Sequence, residues 1–120
     1  MSLRGSDGLA YMKGELRVET RIKTREIEVL PSGWADFVFA DDYALPTLES
    51  VESHIKANRH LPGVPSEAEV MEEGIDLAKM DAVLLQKVEE LTLYMIEQNK
   101  QLEQQRQEIA ELKQQLNQQN

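Results

Sequence analysis

The chain has 120 residues, 22 acidic against 13 basic side chains, a formal net charge of −9 and no cysteine. The missing cysteines exclude disulfides and thiolate metal sites, and the negative charge makes phosphate backbones and anionic lipid surfaces poor partners. No apolar run approaches the ~18 residues of a membrane-spanning helix, so neither nucleic acid binding nor membrane insertion is expected of this stretch.

Residues 1–14, opening on Met1-Ser2-Leu3, read as a flexible leader or tag. From Glu15 the pattern changes. Leu16, Val18, Thr20 and Ile22 alternate with Arg17, Glu19, Arg21 and Lys23, the period of two of a half-buried strand. Ile27 and Val29 resume it after a phase break at Thr24–Glu26, so 15–30 is predicted as a shaft-like β segment with a turn, bulge or corner at the break.

Residues 31–76 read as a small aromatic-core region with short helices. Pro31-Ser32-Gly33 signals a turn into the most aromatic stretch of the chain. Trp34, Phe37 and Phe39, with Tyr43 and Leu45, are the candidate core, and the alternative for Trp34, Phe37, Phe39 and Tyr43 is a platform for a ligand such as a sugar ring. Thr47 is placed to cap a helix over 48–58, where Leu48, Val51 and Ile55 share a face. The prolines and glycine of His60–Pro65 break that helix into a rigid turn. Ser66 and Glu69 form a capping box for a short helix ending at Gly74, and Asp76 is placed to cap the next.

Residues 77–120 are predicted as one coiled-coil helix. With Val88 at position a, the other a residues are Met95, Leu102, Ile109 and Leu116, and Leu84, Leu91, Gln98, Gln105 and Leu112 fall at d. Alternating spacings of four and three make the 3.5-residue repeat of a left-handed coiled coil. Such a narrow apolar stripe on a polar helix needs copies of itself, and these ten residues are the expected oligomer seam. Leu85, Leu93, Tyr94 and Ile96 widen the stripe early on, so the rest of the chain is expected to pack against the start of the helix. Gln98 and Gln105 at d are costly in a dry seam but set register. Glu108 is placed to pair with Lys113 of a parallel neighbour. The a/d residues leave dimer and trimer both open.

No chemistry-bearing pattern emerges, so no catalytic, cofactor-binding or metal residue is assigned and the chain is not expected to be an enzyme. His54 and His60 lie six apart across a helix end, which is no zinc ligand spacing. Asp41-Asp42 lacks the alternation and glycine of a calcium loop. The serines sit in no nucleophile elbow, and no glycine-rich loop precedes a helix.

Four stretches carry a resemblance: Trp34 to Phe39, Tyr43 to Leu48, the HLPGVPS turn from His60 to Ser66, and VEELTLY from Val88 to Tyr94. Across about residues 14–102 the chain resembles a C-terminal region of Bacteroidetes surface and tail-fibre-like proteins, described as tail fibre domain or cell wall surface anchor family proteins. The resemblance implies a homotrimeric fibre end at the cell surface or secreted, with 15–30 as the end of a shaft of short strands. It supplies no catalytic residue. Related fibre ends that cleave themselves as intramolecular chaperones use a serine and a lysine, and Ser32 near the expected junction has no evident lysine partner.

The fold class expected from all this is α+β: short N-terminal β-strands, a small helical and loop region, and a long C-terminal helix in a parallel, trimeric coiled coil. The expected function is a structural oligomerisation module closing a surface fibre. The alternatives are an adhesin-like tip binding a glycan or host protein through Trp34, Tyr43 and the 60–66 turn, and an intramolecular chaperone or autoprotease.

Overall fold

The computed structural model describes residues 8–31, 33–34 and 36–119. Three helices follow one another: α1 over Leu48–Asn58, α2 over Glu67–Glu73 and α3 over Leu77–Gln118. At 42 residues, α3 spans about 63 Å at 1.5 Å per residue and accounts for most of the 88 Å long axis of the molecule.

Local chemistry places each helix end. Thr47 caps α1, its hydroxyl accepting from the Ser50 backbone N–H at 3.1 Å. At the other end Arg59 adopts φ 63° and its N–H donates to the Ile55 carbonyl at 2.8 Å, a left-handed closure on a residue other than glycine. The following turn is closed by Val64 N–H donating to Leu61 O at 3.1 Å, with Gly63 at φ 76°. Proline second and a positive-φ glycine third are the requirements of a type II turn. Ser66 accepts from the Glu69 N–H at 3.3 Å to start α2, and Gly74 at φ 73° ends it. Asp76 accepts from the Lys79 N–H at 3.0 Å to start α3.

The α+β expectation is wrong for this structure. Among the described residues there is no strand and no isolated bridge, and the fold is helical with an extended N-terminal segment. Leu16, Val18, Ile22, Ile27 and Val29 all stand exposed. Alternation marks a strand only when a neighbouring strand supplies the ladder hydrogen bonds and a surface covers one face, and among the described residues no strand lies beside this segment. The phase break is a local bend in which the Thr24 hydroxyl donates to the Glu26 carbonyl at 2.9 Å. Of the leader, residues 1–7 lie outside the described residues, as do Ser32 in the expected turn and Ala35 in the aromatic stretch. Residues 29–31 and 33 run beside the first turns of α3, where they share a cleft with Asp76, Ala78, Lys79, Ala82 and Val83.

The interior is thin. Val38, 2% exposed, is the one apolar side chain among the described residues that is fully enclosed. It lies inside the first of two successive turns, closed by Ala40 N–H donating to Phe37 O and Tyr43 N–H donating to Ala40 O. A chain of this length that folds by itself buries far more; here large apolar side chains are left uncovered from Leu9 to Leu116.

Candidate assembly site

Two faces of α3 have different fates, and the heptad register separates them. Position c is Glu90, f are Gln86 and Leu93, and g are Lys87 and Tyr94; on this side the helix meets its own chain. Glu90 is 6% exposed and is the one buried charged residue among those described. Its carboxylate accepts from the Tyr43 hydroxyl at 2.5 Å, from Gln86 Nε2 at 3.1 Å and from Lys87 Nζ at 3.2 Å. Gln86 Nε2 also donates to the Tyr43 oxygen at 3.3 Å, and Phe37 packs on Tyr43 with ring centroids 5.6 Å apart. One turn further along, the Tyr94 hydroxyl donates to the Pro46 carbonyl. These contacts fasten Tyr43 and Pro46, with Phe37 behind Tyr43, to α3 across more than forty residues of sequence.

The charge on Glu90 follows from those donors. Burial opposes it, but the hydrogen bonds from Tyr43, Gln86 and Lys87 and the lysine charge outweigh burial and hold the carboxyl below the ordinary glutamate range. Burial, reinforced by the hydrogen bond to Glu90, raises Tyr43, while burial and the nearby Glu90 charge raise Tyr94.

The a/d face is bare. Its apolar members run from 48% exposed at Leu84 to 73% at Met95, and Leu102, Ile109, Leu112 and Leu116 all lie between these values. Gln98 and Gln105 are likewise exposed. Off the seam, glutamines are engaged within the helix: Gln101 Nε2 donates to Glu97 at 3.4 Å and Gln104 Nε2 to Glu108 at 3.5 Å. Val88, Leu91, Thr92, Tyr94, Met95 and Gln98 border one shallow apolar groove on the seam side. A strict seven-residue repeat drifts by about 20° per heptad around a straight helix, so keeping this stripe in contact requires a left-handed supercoil with a second helix.

No family model matches this chain, and no curated protein or solved structure is similar to it.

The aromatic candidates do not form a closed cluster in the single chain. Trp34 is 55% and Phe39 59% exposed, Phe37 is exposed as well, and Tyr43 is half-buried through its contact with Glu90. The histidines, separated in sequence, meet in space: His54 and His60 stack edge to face with centroids 5.2 Å apart. The Asn58 amide faces His54 Nδ1 at 3.3 Å, His60 Nδ1 faces the Leu61 carbonyl at 2.9 Å, and His54 Nε2 is buried with no hydrogen-bond partner. Among the described residues no group of three or more His, Cys, Asp or Glu side chains converges as a metal site would require, and no helix is long and apolar enough to cross a membrane.

The Tyr43–Glu90 contact was not visible in the sequence. A glutamate at position c of a heptad reads as a solvated residue, and the one available hint was that Tyr94, four residues on at g, is too apolar for an outer face.

Proposed function

We propose that this chain is a structural self-assembly module, in which three copies join through α3 as a parallel coiled coil and close the end of a cell-surface fibre. The observation that carries the reading is the division of α3. The chain folds onto its c, f and g side and leaves the whole a/d stripe, Leu84 to Leu116, open. Apolar stripes of that length on a single chain mark an interface. Parallel, in-register pairing is favoured by the glutamines, because it sets Gln98 against Gln98 and Gln105 against Gln105 instead of against leucine. It also brings Glu108 at g towards Lys113 at e of the next copy. Three copies and the fibre context rest on the resemblance of residues 14–102 to tail-fibre-like surface proteins.

Absolute mass by light scattering during size exclusion, across a range of concentrations, tests this directly. A concentration-independent trimer is the expected result. A stable dimer keeps the coiled coil and discards the fibre symmetry, and a monomer overturns the proposal.

The exposure of Trp34 favours a second reading, a tip that binds a glycan or host protein. Trp34→Ala separates the two. If neighbouring copies cover the indole, losing it lowers the melting midpoint by about 5–10 °C, as ~1–2 kcal/mol of lost packing would. An unchanged midpoint and mass, together with lost binding on a glycan array, supports the tip.

A further inference from the structure

Between α1 and α3 lies a cavity of about 110 Å³, walled by Leu48 and Val51 of α1, Leu61 of the turn, and Leu91 and Tyr94 of α3. We infer that it is a socket completed by a second copy of this chain, whose Thr92–Ile96 edge seats against Leu48 and Leu61. The inference rests on the self-assembly reading and specifies a contact that the heptads alone do not contain.

The socket and the seam share a residue. Leu91 is a d position and also forms one wall of the cavity, so a helix laid on the seam passes the cavity mouth. The walls are not satisfied within the chain: Leu48 is 44% and Leu61 41% exposed. In a parallel coiled coil the g side of one helix faces the e side of the next. Here α1 lies over the Glu90 and Tyr94 side, positions c and g, and Lys87, the g residue in the same cavity wall, faces Thr92 at e of the neighbour, with Ile96 at b one turn further on. Ile96 is an apolar residue outside the a/d stripe, 48% exposed. It cannot reach its own Leu48, because it lies two residues, about 200°, around the helix from Tyr94. A half-exposed branched aliphatic side chain therefore stands level with an apolar socket that lacks a fourth wall. The socket would tie each globular end to the adjacent helix as well as to its own.

The chain has no cysteine, which allows a direct test. The full chain carrying Leu48→Cys with Ile96→Cys, oxidised with copper phenanthroline, is compared on a non-reducing gel with each single variant, after its mass has been measured unoxidised. The expected result is a ladder of covalent dimers and trimers, about ten-fold stronger than in either single variant, since a disulfide forms only where the two β-carbons lie about 4 Å apart. An oligomeric mass with no ladder overturns the socket and leaves the assembly reading intact, whereas a monomeric mass overturns both. Should the double cysteine variant lose its helical circular dichroism, Leu48→Ala and Ile96→Ala combined in a double-mutant cycle on the melting midpoint report the same contact. Non-additive effects are expected, and additive ones overturn it.

Discussion

Replacing Leu102 and Ile109 with lysine is expected to dissolve the proposed assembly into single chains while the globular end stays folded. Both are a positions about half exposed in the single chain, and both lie beyond Tyr94, which is hydrogen-bonded to the segment before α1. Burying the exposed half of each side chain is worth about 1 kcal/mol. In the proposed trimer, two layers in three copies contribute about 6 kcal/mol, and losing them weakens association by about four orders of magnitude. The cost of placing six ammonium groups in the seam comes on top of that. The Tyr43–Glu90 cluster is untouched, so the near-ultraviolet signal of the tyrosines persists. The far-ultraviolet helical signal falls, because an isolated polar helix beyond Met95 is marginal in water. Light scattering and circular dichroism on the same sample check both halves of the expectation. Retention of the wild-type mass would show that the stripe is not the interface.

The contrast between the two ends of α3 explains what could be read from the sequence and what could not. The long C-terminal helix and the caps Thr47, Ser66 and Asp76 depend on local spacing, and the helices begin where those caps stand. The N-terminal strands depend on a partner the pattern does not name. Leu16, Val18 and Ile22 alternate with charged residues, yet no described backbone pairs with them. The polar clamp was hidden for a different reason. Tyr43 and Glu90 are 47 residues apart, and nothing about either residue type specifies that they meet. His54 and His60 came together because Arg59 takes a left-handed conformation that folds the chain back at the helix end, and arginine gives no sequence signal for that. Nonlocal contacts between polar residues have no periodicity, and periodicity is the signal a single sequence offers.

The second large effect is expected at Glu90. Glu90→Ala removes the acceptor shared by the Tyr43 hydroxyl, Gln86 and Lys87, and leaves those donors facing an apolar methyl in a largely enclosed site. Breaking a buried, hydrogen-bonded pair from one side costs about 3 kcal/mol or more, which lowers the melting midpoint of the globular end by about 15 °C. Glu90→Gln keeps the shape and loses the charge, at about 1–2 kcal/mol. The pH dependence has a defined sign. The folded carboxyl titrates below its unfolded value of about 4.3, so its contribution is complete above that value and is lost as pH falls through the folded one. Tyr43 and Tyr94 titrate above their unfolded value of about 10. Their contribution is complete below that and is lost as pH rises through the folded values, when Tyr43 can no longer donate to a carboxylate. Thermal melts from pH 3 to pH 11 should therefore show wild type and Glu90→Gln separated by a constant interval at neutral pH, converging at the acid end. Curves that stay parallel into acid would mean that Glu90 does not carry the charge that fastens Tyr43 to the helix. A Glu90→Ala variant that melts with the wild type would remove the clamp altogether, and with it the reason why the chain packs on this side of α3 and leaves the seam free.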